Sequence, residues 1–242
     1  MKKKILAAVT TSCLVGSLAA LTGASGATPT SLKGLTGAQI EAVALAQMKA
    51  AGSYMVTVKS VFKGVNATSV TYSTLTSGIR HDVINGQRGE RLMVNGVVYV
   101  NFSTALEKIY FGKIIPTLAD KWVAFTRGQP YYSFFASTMT ETTLAPILSL
   151  SGVLRVSAPL TYDAQRVVRI TPVPKASSSA TGLVEDLYVA DTAPFLPVAL
   201  VIGAHSTTST KTIETVTFKN WGTKVAVRAP SHSTPSSTFK LP

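Results

Sequence analysis

Beyond its N-terminal segment the chain has no cysteine, and it is poor in the other residues that chemistry uses. Cys13 is the sole cysteine, and His81, His205 and His232 are the only histidines. Disulfides, thiolate metal sites and cysteine nucleophiles are therefore excluded downstream of residue 13. Acidic residues number 11 against 23 basic ones. The one adjacent acidic pair, Glu185 and Asp186, points to opposite faces of a strand and cannot converge on one substrate. No histidine pair has metal-ligand spacing, and residues 28–242 contain no Gly-x-Ser-x-Gly elbow and no glycine-rich phosphate loop. These absences argue against an enzyme, a metal centre and a cofactor. The basic residues of this stretch are scattered, with no run and no interleaved aromatics, which argues against nucleic acid as a partner.

What is present begins with export. Lys2, Lys3 and Lys4 form a basic start, residues 5–21 are uncharged and largely apolar, and residues 22–27 are small. This is the layout of a cleaved signal peptide over residues 1–27, with the cut after Gly26 or Ala27. Cys13 follows Thr10, Thr11 and Ser12 inside the apolar run, a poor context for lipid attachment, so no anchoring at Cys13 is expected. The segment carries three lysines and no acid, so its removal lowers the net charge from +12 to +9. A positive surface outside the cytoplasm suits anionic lipid headgroups or wall polymers, and contact with a membrane surface is expected.

Strand signals dominate the remainder. Asn85-Gly86 and Asn95-Gly96 supply the positive φ angles of two-residue hairpin turns and join residues 79–84, 87–94 and 97–102 into a meander. Counting outward from the turns sets Ile79 opposite Leu92, His81 opposite Glu90, Leu92 opposite Tyr99 and Val94 opposite Val97. One face collects Ile79, Val83, Leu92, Val94, Val97 and Tyr99; the other collects Ile84, Met93, Val98, Val100 and Phe102. A solvated antiparallel sheet has one apolar face, so this one needs cover on both sides, from helices or from an apolar ligand.

Thr36 and Gln39 fit a capping box that opens a helix carrying Ile40, Val43, Ala44, Met48 and Ala51 at helical spacing and ending at Gly52. Strands are expected over 53–62, 68–76, 108–111, 121–125, 153–157, 166–170, 183–190, 197–203, 212–219 and 224–228. A helical turn is expected within 114–120. Residues 131–150 read as a helical segment interrupted by Pro146, giving two shorter helices or a kinked one, and 231–242 as a flexible Ser/Thr/Pro tail. The sum is one α+β domain over 28–230, with roughly eleven antiparallel strands in a sheet long enough to curl.

Several stretches carry a family likeness. They are residues 50–56 at the end of the first helix, 94–100, 121–123, 193–198, and 218–222 running into 225–230. In order and spacing the chain resembles the exported half-barrel lipid carriers of the LolA/LolB type, especially the actinobacterial LppX/LprG-like lipoproteins. The resemblance implies a curled antiparallel half-barrel with helices covering its concave face, an apolar cavity for acyl chains, and no catalysis. That group usually carries a lipid-attachment cysteine, and here Cys13 lacks the context. The function expected is an exported, noncatalytic binder or carrier of a lipid or other hydrophobic ligand in the cell envelope. The alternative is an envelope sensor or regulatory protein-binding module on the same fold. By alternation, the expected cavity lining is Leu92, Val94 and Tyr99, with Phe134, Phe135 and Ile147 above them.

Overall fold

A computed structural model describes residues 29–62, 64–115, 118–173, 182–205 and 210–241. The N-terminal segment with Cys13, and most of the two loops after residues 173 and 205, lie outside them. The chain runs α1 (Gly37–Ala51), β1 (Ser53–Phe62), β2 (Val65–Thr74), β3 (Gly78–Ile84), β4 (Gln87–Val94), β5 (Val97–Phe102), α2 (Thr104–Phe111), β6 (Val123–Phe125), α3 (Tyr132–Ala136), α4 (Glu141–Leu148), β7 (Leu154–Val156), β8 (Leu160–Tyr162), β9 (Gln165–Pro172), β10 (Gly182–Ala190), β11 (Pro197–His205), β12 (Thr210–Lys219) and β13 (Thr234–Pro235). All the strands belong to one 13-stranded sheet in the order β13-β6-β5-β4-β3-β2-β1-β12-β11-β10-β9-β7, with β8 branching from β9. Every pairing is antiparallel except β13 with β6. The sheet does not close on itself; it is a curled half-barrel, as expected.

The turns fix the register. Asn85 and Asn95 have φ of 48° and 51°, followed by Gly86 and Gly96 at 82° and 75°, the left-handed pairs that a two-residue hairpin requires. Ile79 pairs with Leu92, His81 with Glu90, and Leu92 with Tyr99, as the count from the turns gives. The capping box of α1 forms, and Gly52 ends the helix at φ 72°.

Four expectations are corrected. Residues 108–111 belong to α2, because Ala105, Leu106, Glu107 and Lys108 favour helix and Leu106, Glu107, Tyr110 and Phe111 fall on one buried face at helical spacing. Residues 131–150 form two shorter helices, but the break falls at residues 137–140 and not at Pro146, which sits inside α4. Residues 224–228 form no strand, since both edges of β12 are occupied by β1 and β11. Residues 231–241 are not a loose tail. Thr234 and Pro235 pair with β6, Ser236 is buried, and Phe239 and Leu241 pack into the core. The open edge of β6 has backbone groups to satisfy, and this segment satisfies them.

The concave face carries two apolar clusters. The first joins Ile40, Ala44 and Met48 of α1 with Leu144 and Leu148 of α4, over Val56, Val168, Ile170, Leu187, Leu200, Val216 and Phe218. The second joins Leu106 and Tyr110 of α2 with Phe135 of α3 and with Met139, over Met93, Val98, Val100, Phe102, Val123 and Phe125. Phe135 is its hub, with ring centroids of Phe102, Phe125 and Phe134 at 5.5, 5.2 and 5.2 Å.

Candidate functional site

Between the two clusters the concave face is polar. Val56 of β1 pairs with Thr71 of β2, Thr71 with Arg80 of β3, Arg80 with Arg91 of β4, and Arg91 with Val100 of β5. The next row runs Val58, Ser69, Asp82, Gly89, Phe102. Ser69, Thr71, Ser73, Asp82 and Arg91 are all buried. A strip three strands wide thus interrupts a core that is apolar on both sides of it.

Asp82 organises the strip. Its carboxylate accepts from Arg80 Nε at 2.8 Å and lies 2.8 Å from Arg91 Nε, the latter a contact of charges rather than an aligned hydrogen bond. Burial alone would raise the Asp82 pKa; Arg80 and Arg91 outweigh it and hold the carboxyl below the ordinary range. Arg91 also donates to Tyr110 Oη at 2.7 Å. Its guanidinium carbon lies 5.2 and 5.4 Å from the ring centres of Tyr110 and Phe135, so the cation rests among aromatic faces. Across the concave face, Glu214 of β12 lies in the row of Ser60 and Ala67. Burial pushes its carboxyl up against the opposing field of Arg80.

The cover of the strip is the α3–α4 connection, residues 137–140. Arg80 Nη1 donates to Thr138 Oγ1, and Ser73 Oγ donates to the Met139 carbonyl at 3.1 Å. Thr138 has φ 63°, a left-handed conformation that a β-branched residue rarely adopts. Gly78 lies directly beneath: a Cβ built there would stand 2.0 Å from the Met139 carbonyl oxygen. Because that clash is backbone against backbone, Gly78→Ala is expected to push the connection off the sheet and lose about 1–3 kcal/mol. Faster amide exchange in residues 137–148, with β3–β5 unchanged, is the check.

A small pocket lies in the second cluster, lined by Val100, Phe102, Glu107, Phe111, Leu118, Lys121, Val123 and Phe125, and encloses about 10 Å³. That is the room of about one water molecule and far too little for an acyl chain. Glu107 accepts from the Ile115 amide at 2.8 Å, while its other oxygen has no partner among the described residues. Burial raises its pKa, the Ile115 amide opposes this, and Asp120 adds to the rise. A carboxyl raised in the folded state opposes folding increasingly as pH climbs from its unfolded value. Glu107→Gln is therefore expected to raise Tm by a few degrees at neutral pH and to give no gain below about pH 4. Thermal melts across that range check it.

The six expected lining residues are not brought together. Phe134 and Phe135 belong to the second cluster and Ile147 packs on the first. Leu92, Val94 and Tyr99 alternate with Arg91, Met93 and Val98 and so occupy the convex face, with Leu92 shielded between its cross-strand neighbours Ile79 and Tyr99. The meander turns its other apolar face inward, because α2 and α3 dock on that side. Apolar alternation also passes over Arg80, Asp82, Arg91, Ser69, Thr71 and Thr138, which the fold gathers into the strip and its cover. Among the described residues no group of His, Cys, Asp and Glu could hold a metal, and no helix is long and apolar enough to cross a membrane.

No family model and no curated protein matches the sequence. Among solved structures the chain is similar to LprF from Mycobacterium bovis, at 14% identity and a TM-score of 0.49, over 81% of this chain and 97% of that one. An uncharacterized conserved protein from Thermus thermophilus matches at 10% identity and a TM-score of 0.45, over 81% and 96%. MucB, in complex with MucA(peri), matches at 16% identity and a TM-score of 0.36, over 81% of this chain and 59% of that one. At these values the likeness is one of layout. The curled half-barrel expected from the sequence resemblance is the fold the chain adopts.

Proposed function

We propose that this protein is a noncatalytic binder of an acyl-chain amphiphile that acts outside the cytoplasmic membrane. The observation that carries the reading is the divided concave face, whose polar strip lies beneath the α3–α4 segment. Helices of 5 and 8 residues are too short to persist alone. They and the connection between them hold by seating Phe135, Met139, Leu144 and Leu148, each 0% exposed. An acyl chain offers the same kind of surface, at about 0.8 kcal/mol per buried methylene. It can take their place when the segment lifts, and the exchange requires no bond to be made or broken. Residues 1–27 would export the protein, and its positive charge would favour approach to anionic lipid surfaces.

Mass spectrometry of organic extracts from the purified protein tests this, together with titration of stripped protein with a fluorescent acyl probe. Copurifying lipid and saturable probe binding are expected; absence of both would overturn the reading. A second reading, a protein-binding sensor module, draws on the convex face, where Tyr72 and Val83 are 36% and 38% exposed on the side that also carries Ile79, Leu92 and Tyr99. A stable protein partner in pull-downs with no extractable lipid favours it.

A further inference from the structure

The polar strip has more hydrogen-bonding capacity than the closed protein uses. Ser69 and Thr71 are 4% and 0% exposed, and neither hydroxyl reaches a partner among the described residues. Neither position needs a hydroxyl for packing, since their neighbours on β1 are Val58 and Val56. A stranded buried hydroxyl weakens a core, and an alanine or valine would avoid it. Charge is unmatched as well: two guanidinium groups share the single carboxylate of Asp82. A further acid on this face, Glu214, feels the field of Arg80 but makes no ion pair with either arginine among the described residues. A second donor of Arg80, on Nη1, goes to Thr138, a neutral hydroxyl on a residue in the left-handed region. A neutral, strained group therefore occupies the place where an anion fits best.

Resting on the amphiphile-binding reading, we propose that this strip is the head-group site and takes a singly charged anionic head, a carboxylate or a phosphodiester. The head would sit between Arg80, Ser69 and Thr71 once Thr138 is displaced. It accepts from the guanidinium and both hydroxyls and supplies the missing negative charge. The chains run from there into the apolar clusters on either side, so the ligand spans the two halves that the strip separates.

The test is competition against a neutral fluorescent acyl probe on stripped full-length protein, with four competitors of one chain length. Two are anionic, a fatty acid and a lysophosphatidylglycerol; two are neutral, the fatty alcohol and the monoacylglycerol. At least one anion is expected to compete about tenfold better than both neutral molecules. Which anion wins identifies the source of the charge. Equal competition by anionic and neutral heads would overturn the head-group site and leave the amphiphile reading standing. Failure of every probe to bind would overturn both. Thr71→Val supplies the second arm: it removes one stranded hydroxyl at nearly constant shape. It is expected to keep or raise Tm, weaken the preferred anion about fivefold, and leave neutral competitors unchanged. Equal loss for both kinds of head, or no loss for the anion, would overturn the assignment.

Discussion

Asp82→Asn is expected to destabilise the protein by about 3–5 kcal/mol, because it leaves the buried Arg91 and the part-buried Arg80 without the carboxylate they share. Arg91 is 3% exposed and cannot turn to water for compensation. The asparagine amide can still accept from one arginine, but it carries no charge to offset either. The wild-type protein should show the same dependence as a pH effect. The folded-state pKa of Asp82 lies below the ordinary range, so the folded protein binds this proton less readily than the unfolded chain. The stabilisation is complete above the unfolded value of about 3.9 and is lost as pH falls through the folded one. Urea unfolding of both proteins between neutral and acid pH measures it, and the gap should narrow on the acid side. A loss below about 1 kcal/mol at neutral pH would mean that the strip is hydrated and exposed. Replacing Arg80, Asp82 and Arg91 together with apolar residues of similar size should restore most of the loss. Such a variant would have a continuous core, and on the head-group proposal it should no longer prefer anions.

The signal for this strip is present in the sequence, in the same turn count that sets Leu92 opposite Tyr99, since that count also sets Arg80 opposite Arg91. Like charges directly opposite one another are unfavourable on an open sheet. An acid two residues along, at Asp82, is what resolves the conflict in a buried one. Arg80, Asp82 and Arg91, followed as a unit, share a face with Ile84, Met93 and Val98 and mark that face as the inner one. What alternation alone does not decide is which apolar face of the meander is concave. That depends on where α2 and α3 dock, and the apolar pattern of residues 108–111 suits a strand as well as a helix. Gly89 is the local cue: a Cβ there would stand 2.6 Å from Leu106 Cδ1, so the glycine lets α2 approach β4 without that side chain shifting. The local devices were legible because each is set by neighbouring residues. The Thr36–Gln39 capping box and the two Asn-Gly turns are of this kind. The cover was not legible, because Thr138 and Met139 meet β2 and β3 across more than 50 residues of chain.

Phe135→Ala is expected to have the other large effect, and in two opposite senses. Phe135 is 0% exposed and its ring meets Phe102, Tyr110, Phe111, Phe125, Tyr131 and Phe134. Truncation should remove about 3–5 kcal/mol of stability, or roughly 6–20 °C in Tm for a domain of this size. Most of that loss falls on the docking of α3, since the sheet beneath retains its backbone ladder. If α3 competes with acyl chains for the same apolar surface, weakening its docking enlarges the open population. Apparent affinity rises with the competent fraction. The variant should therefore melt earlier and yet bind a neutral acyl probe more tightly than wild type. Phe135→Leu, which keeps much of the apolar volume, should fall between the two on both scales. If affinity drops along with Tm, Phe135 contributes to holding the ligand, and the second cluster acts as a binding wall rather than as a cover that gives way. Melting curves and probe titrations on the three proteins separate these outcomes, because displacement moves the two quantities in opposite directions and wall-building moves them together.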